Sequence, residues 1–576
     1  MYKIKDCENL KRVCVEDFKL IEDDWIEAGW YMNPALIKFL LKRGTRKERE
    51  NRHIVDLTHV IAHRSFTAGF MEGNTSTTRS WFKFAHGDEE LNTFEPVQAY
   101  IQKLNRRALE NASSSNLYYA LSQAYGVYGI FNTACIYINE LKTGPHFTTL
   151  EAGTYYILND GLGTANVLVR EFPLTVKSLV ETYGKKVNGK WDWSNFSERV
   201  KKLFEDGHYT EEIIITEVVK PNHLFDNSKG EFGSNRKWVS LTYESRSTDT
   251  IGEKLGYTYT IDDRKDDRFL RIKHMTRKPF IAFRTPSSGN YAYGLSGPTT
   301  SSLGAIKSLQ KKAVSRDVAV DLMLKPPMQG PASLKKTYMN LNPGGYTALD
   351  QHAALAGGAK HLFQMNAGAV SLLDADVVDL RNQVRRMYYE DFMLYLSQNP
   401  KTRTAAEVNA ILSEQQLVIG PALQSLDYTL NQPLVDYLAD YTLFEDPYLG
   451  EMPEELEGEK LKTIFVSVFA QAQRAADLPS IDRYVQMITN VAQVDPRVLD
   501  KANLDKFADL YEDRLYLPQG LNRPQDEVDA RREKNAQDAA RQQALTEQIP
   551  AMAGAQKDLA DASLSEQTMQ QQMTGQ

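Results

Sequence analysis

The chain has 576 residues, of which 42% are hydrophobic and 25% charged, with a formal net charge of -7 and a pI near 5.9. That length exceeds what one hydrophobic core spans and points to roughly two to four packed regions, and the composition is that of an ordinary globular chain. The acidic balance excludes a protein that grips nucleic acid over a broad basic face, but not one that lets DNA slide past.

Residues 1–120 read as mostly helical. The first twenty are charged throughout and contain no apolar signal core. Lys42-Arg43-Gly44-Thr45-Arg46-Lys47 reads as a basic surface loop. Apolar groups recur at helical spacing over 53–72 (Ile54, Leu57, Val60, Ile61), and Gly73-Asn74-Thr75-Ser76 ends that helix. Residues 99–139 read as helical again, with Gly126 and Gly129 suited to close helix packing. The run 111–139 lacks charge, but Asn, Ser, Gln and Gly dilute it, which predicts a buried helix rather than a membrane span.

From about 144 to 295 the pattern turns to strands. Thr154–Leu158 and Ala165–Arg170 flank Asn159-Asp160-Gly161-Leu162-Gly163, a hairpin signal. Further strands are expected at 212–219, 238–244, 256–261 and 279–284, with helices near 174–184 and 194–206. Helix and sheet are mixed, so the fold class is α+β.

A long helix is expected over 299–325, with Leu303, Ile306, Leu309, Ala313 and Val318 as its apolar stripe and Pro326-Pro327 as its stop. Residues 326–370 hold six glycines and four prolines and read as irregular. A second long amphipathic helix is expected over 371–396 (Leu373, Val377, Leu380, Val384, Met387). Ser397–Lys401 breaks it. A third helix of about 40 residues starts near Thr404, with Glu407 completing a capping box, and is expected to kink at Gly420-Pro421. Residues 460–516 read as helical, and the Gln-rich tail 522–576 as disordered or a solvated helix.

No catalytic constellation emerges, and no cofactor is expected. There is no phosphate-binding loop of the G-x-x-x-x-G-K-[ST] type, and Gly161-Leu162-Gly163 reads as a turn. Cys7, Cys14 and Cys135 form no C-x-x-C pair and read as reduced thiols. His59 and His63 stand at i and i+4, the spacing of a metal pair. Val60 stands where a zinc protease motif has Glu and no third ligand is near, so a packing role is expected. Asp262–Asp267 is a candidate to hold a hard cation, against the plainer reading of a solvated hairpin tip. Lys307, Lys311, Lys312 and Arg316 are candidates to meet phosphates, against the plainer reading of a solvated helix face.

The order of these pieces resembles the portal (head-to-tail connector) proteins of short-tailed bacteriophages, over about residues 20–520. The resemblance is carried by Thr75–Phe82, by Tyr125-Gly126-Val127-Tyr128-Gly129-Ile130-Phe131-Asn132-Thr133-Ala134, and by Asp160, Gly163, Val169, Arg170 and Glu171. It continues in Pro279-Phe280-Ile281-Ala282-Phe283-Arg284, Tyr293-Gly294-Leu295-Ser296-Gly297-Pro298, Thr404–Val408 and Leu417–Leu423. Thr285 departs from it, since an aromatic often follows that arginine, and so does the long Gln-rich tail.

The resemblance implies a subunit of a ring, twelve in the family, at the capsid vertex of the virion, assembled in the host cytoplasm. Such a ring serves genome packaging, head-tail joining and DNA ejection. It implies a wing (1–298), two stem helices (299–325 and 371–396) around a clip (326–370), and a channel loop (397–403). A kinked wing helix (404–445), a crown (446–520) and a barrel-like or disordered tail (521–576) follow. The implied partners are double-stranded DNA, the large terminase subunit, the tail adaptor, and capsid and scaffolding proteins, with no membrane. A conduit must hold its cargo weakly, because each neutralised phosphate adds affinity. Gln398, Asn399, Lys401 and Arg403, with Lys307 and Lys311, are therefore the expected weak DNA contacts. The acids of 371–396 are expected partly to face the lumen, with Arg381, Arg385 and Arg386 bridging neighbouring subunits. The alternatives are another phage structural protein, internal or tail-tube, and a nucleic-acid enzyme.

Overall fold

The computed structural model describes residues 2–41, 53–88, 94–245, 268–287, 289, 291–324, 326–329, 351, 355, 360–361, 367–397, 418–456, 461–467, 469, 478–492, 528, 531–535, 537–538 and 564–565. The chain divides into a main body, Met1–Ala470, and a second unit, Gln471–Gln576. In the second unit the longest described element is the helix Leu478–Ala492, which leaves Tyr484, Met487 and Val491 exposed along one face.

The main body opens with α1 (Ile4–Met32), whose stripe of Cys7, Cys14, Phe18, Ile21, Trp25, Ala28 and Met32 is buried. Helix α2 (Thr58–Asn74) follows, then strand β1 (Phe82–Ala85), α3 (Glu95–Ser114) and α4 (Leu117–Phe131). The expected helix over 99–139 is corrected twice. It breaks at Ser115–Asn116, and it ends at Asn132, which adopts the left-handed conformation (φ 60°) that Asn tolerates best after glycine. Residues Thr133–Leu141 then form β2, where the β-branched and aromatic side chains of Thr133, Ile136, Tyr137 and Ile138 suit a pleated surface.

Strand β2 is the middle of a three-stranded antiparallel sheet with β3 (Gly144–Thr149) and a later strand, Phe280–Arg284. A five-stranded antiparallel sheet is built from β4 (Tyr155–Asn159), β5 (Ala165–Thr175) and the strands Glu212–Pro221, Trp238–Glu244 and Arg271–Met275, in spatial order from last to first. The expected strand at 256–261 lies outside the described residues, and Arg271–Met275 was not anticipated. Two short helices, α5 (Val176–Tyr183) and α6 (Glu198–Glu205), are capped by the side chains of Thr175 and Ser197 and cover a satellite core of Leu179, Phe196, Val200 and Ile215.

Two long rods leave this body: α7 (Pro298–Leu324) and α8 (Ala367–Met387). The helix expected over 371–396 is not continuous. It stops at Met387, turns at Tyr388–Tyr389, and resumes as α9 (Glu390–Ser397). Beyond it, residues 418–426 are helical straight through Gly420 and Pro421, so the expected kink is displaced. The irregularity is a π turn at Asp427–Asn431, just ahead of α10 (Gln432–Glu445). Pro433 in the first turn of α10 has no N–H to give the preceding turn, which accounts for the wider loop there.

The segment read as the start of a crown at 446 remains part of the main body. Lys462–Phe465 pairs antiparallel with β1, and Leu449, Leu456 and Phe469 enter the core. Exposed polar sequence around short apolar runs hid this in the periodicity.

The Arg170-Glu171 pair sits on β5 in the five-stranded sheet and is buried charge. Glu217 on the neighbouring strand is fully buried and takes Arg170 Nε at 2.5 Å, Tyr137 Oη at 2.8 Å and the Ser240 hydroxyl. Glu171 is fully buried and lies 2.5 Å from Lys11 Nζ of α1, itself buried. Burial works to raise the Glu217 pKa, but Arg170 and the three donors outweigh it and hold the carboxyl below its ordinary value. Its stabilising contribution is therefore complete above the ordinary carboxylate range and is lost as pH falls through the lower folded-state value. Arg170→Ala leaves Glu217 ionised and unpaired, and is expected to destabilise the body by about 3–5 kcal/mol in chemical denaturation while reducing acid sensitivity below pH ~4. A loss under about 1 kcal/mol would show that the pair is solvated.

Candidate channel-forming hairpin and its anchor

The rods α7 and α8 run antiparallel and are cross-linked by ion pairs. Lys312 Nζ meets Asp376 Oδ2 at 2.7 Å, and Arg316 Nε meets Asp374 Oδ1 at 2.8 Å. Together the two rods and α9 carry seven basic and seven acidic side chains, so the unit is neutral overall. Toward the body, α7 buries Ile306, Leu309, Gln310 and Ala313, and α8 buries Val377 and Val384. On other faces, Val314, Val318 and Leu324 on α7, and Leu372 and Val378 on α8, remain exposed.

The base of α7 is held by polar groups in an apolar setting. Thr299 is fully buried, donates to the Gly129 carbonyl at 2.7 Å and lies 2.6 Å from Tyr388 Oη. Asn132, in its left-handed turn, donates to Thr300 Oγ1 at 2.6 Å and accepts the Thr285 N–H on its carbonyl at 2.9 Å. Gly294 and Gly297 lie against Asn132 so closely that a Cβ on either would overlap its oxygens. The glycines of the 293–298 motif are thus explained by their approach to the 125–134 motif.

About three turns further along α7, Gln310 acts as a backbone surrogate. Its Oε1 accepts the N–H groups of Val55 (2.8 Å) and Asp56 (3.0 Å), and its Nε2 donates to the Asp56 carbonyl at 2.9 Å. Asp56 in turn accepts the Thr58 N–H at the start of α2 and binds Arg381 of α8 through Nε and Nη2, both at 2.8 Å. Burial alone would raise the Asp56 pKa, but the Thr58 hydrogen bonds and Arg381 outweigh it and hold it below its ordinary value. Asp56 and Gln310 thereby tie both rods to one segment of the body.

The expected site residues fall into three groups. Gln398, Asn399, Lys401 and Arg403 lie outside the described residues. Lys307 is paired with Glu27 of α1, whereas Lys311 is exposed and has no ion-pair partner among the described residues. Two of the three arginines expected to reach neighbouring subunits have acidic partners within the chain. Arg381 is taken by Asp56, and Arg385 Nε lies 3.4 Å from Glu390 Oε2 because the turn at Tyr388 brings Glu390 back. Arg386 is exposed and unpaired among the described residues. The acids Asp374 and Asp376 pair with Arg316 and Lys312 of α7 and stay more than half exposed.

His59 and His63 pack. His59 Nε2 lies 3.0 Å from the Tyr31 carbonyl, and His63 Nε2 2.9 Å from the Gly126 carbonyl. Burial lowers both imidazole pKa values and keeps them neutral. Among the described residues no cluster of His, Cys, Asp and Glu is placed to hold a metal, and no helix is long and apolar enough to cross a membrane. Sequence reasoning missed Gln310, Thr299 and Asp56. The signal for Gln310 was a polar residue on the buried stripe between Ile306 and Ala313.

The other motifs also converge. Asp160 Oδ1 accepts the N–H groups of Leu162 and Thr164 to shape the hairpin, with Gly163 at φ 80°. Arg284 donates to Asn159 Oδ1 (2.9 Å) and to the Gly163 carbonyl, and its own carbonyl accepts Ser425 Oγ at 2.8 Å. Gln310→Ala removes three bonds to the backbone of Val55 and Asp56. It is expected to cost about 1–3 kcal/mol in thermal or chemical denaturation and to speed amide exchange of residues 55–58.

Comparison with known proteins follows the same span. The "Portal protein" of Salmonella phage epsilon15 is 29% identical over 553 residues, 95% of this chain and 93% of its own. The "Probable portal protein" of Bordetella phage BPP-1 is 32% identical over 529 residues, 91% of this chain and 90% of its own. Among solved structures, a chain of the virion of native gene transfer agent particle is similar over 76% of this chain and 92% of its own length, at 9% identity and a TM-score of 0.27, too distant to describe the fold. The family described as bacteriophage head to tail connecting protein matches residues 7–521, with the motif clusters of the rod anchor inside that span, and the chain belongs to this family.

Proposed function

We propose that this chain is a portal subunit that closes with copies of itself into a ring, with α7 and α8 as the stem around a channel for double-stranded DNA. The ring, twelve-membered in this reading, sits at the capsid vertex of the virion and serves packaging, head-tail joining and ejection. Its partners are the large terminase subunit, the tail adaptor, and capsid and scaffolding proteins. Residues 326–370 act as the clip and 397–403 as the channel loop. Residues 446–520 form the crown. The role is structural, with no catalytic step.

The observation that carries this reading is the rod pair itself. Its internal charges are matched between α7 and α8, while Val314, Val318, Leu372 and Val378 are left outside with nothing among the described residues covering them. A repeated contact around a closed rotation covers such faces and yields a ring. The neutral charge of the rods suits a lumen that does not retain phosphates. Arg386 and Lys311, unpaired among the described residues, are the remaining cations for a neighbouring subunit or passing DNA.

Negative-stain microscopy of the purified protein is expected to show rings with a central hole. A compact particle or a tube would overturn the reading. Val318→Asp is expected to leave the melting temperature within a few degrees and to abolish rings by placing unpaired charge in the contact. Neutralising Lys401 and Arg403 together is expected to change DNA retention while rings still form. If rings fail, the loop assignment is wrong.

A further inference from the structure

The segment Met387-Tyr388-Tyr389-Glu390 is in conflict with its own sequence. It contains no glycine or proline, and the apolar positions Val377, Val384, Tyr388 and Phe392 keep helical spacing through it. The residues are compatible with one continuous helix over 367–397. The chain instead turns there, with Tyr389 at φ 53°, a left-handed conformation that a bulky side chain occupies only under constraint.

The constraints are visible. Tyr388 is fully buried, with its Oη 2.6 Å from Thr299 Oγ1 and 3.5 Å from Met32 Sδ. Met393 of α9 occupies the slot left by Gly69 on α2, where a Cβ would overlap its side chain. Phe392 stacks on Phe469. Arg385 and Glu390, five residues apart, would stand about 140° apart around a continuous helix, so their contact exists only in the bent form. Beside Tyr389 lies a cavity of about 130 Å³ lined by Phe66, Tyr128, Pro298, Val418 and Pro421. It gives the tyrosine room to move, and the Tyr128 hydroxyl beside it has no hydrogen-bond partner among the described residues.

We propose that Tyr388–Glu390 is a built-in hinge at which the bent arrangement interconverts with a single straight helix over 367–397. Straightening returns Tyr389 to the right-handed region, separates Arg385 from Glu390 and lifts Met393 out of the Gly69 slot. Local sequence favours the straight form, and the Tyr388, Met393 and Phe392 contacts favour the bent one, so two packings compete. The hinge stands on this conflict alone and does not depend on the ring reading.

The test is a distance measured by pulsed electron spin resonance between labels at Ser371→Cys and Asp391→Cys, both exposed in a chain whose own three cysteines are buried. Labelled chains are diluted into unlabelled ones so that only distances within one chain are read. A straight helix places the two positions about 30 Å apart, and the bent form closer. Two distances are expected in the otherwise unaltered protein. Tyr389→Gly, which removes the left-handed penalty and weakens the straight helix, should raise the bent fraction about tenfold. Tyr389→Ala should raise the long distance. A single short distance in both the parent and Tyr389→Ala overturns the proposal, as does a longer distance in Tyr389→Gly. If Tyr389→Ala does not fold, the parent against Tyr389→Gly decides, with the thermal midpoint of the glycine variant expected to rise.

Discussion

A pair of rods projecting from a globular body can hold a fixed direction only if its base does not slip. Apolar contact alone is non-directional and lets a helix shift along its axis. Here the base is pinned by oriented bonds in a dry setting: Thr299 to Gly129, Asn132 to Thr300, Gln310 to the backbone of 55–56, and Asp56 to Arg381. Each leaves an unsatisfied polar group if the rod moves by even one residue, which is costly away from water. Register, rather than bulk stability, is what these groups set.

The anchor also explains how distant motifs relate. The left-handed turn at Asn132 ends α4, starts β2, and receives Gly294 and Gly297 from the segment leading into α7. The hairpin at Asp160–Gly163 meets Arg284, whose carbonyl meets Ser425 beyond the rods. Several family motifs are therefore one continuous contact surface at the foot of the hairpin. Buried charge on β5 and the neighbouring strand fixes the sheet behind it.

Much of this was legible in the sequence. The rods, the turn at 159–163 and the mixture of helix and sheet follow from periodicity and turn chemistry. What failed did so for identifiable reasons. An uncharged apolar run such as 117–139 fits a buried helix and a buried strand alike, so β2 was read as helix until Asn132 divided them. The turn at Tyr388–Tyr389 left no mark, because only tertiary contacts impose it. The fates of Arg381, Asp374 and Asp376 were hidden because a charge on a helix face shows that it needs a partner, not which one. Gln310 was visible as an oddity on an apolar stripe and went unread.

The antiparallel ribbon between Phe82–Ala85 and Lys462–Phe465 has a consequence for biogenesis. Its two strands lie far apart in the main body, so in a nascent chain the edge of Phe82–Ala85 stays unpaired until residues 462–465 have been made. Closing so large a loop is entropically slow relative to the local helices, and places this clasp among the last native contacts to form. A chain whose C-terminal segment is still on the ribosome carries an open, aromatic strand edge, a site for mispairing until translation has passed residue 465.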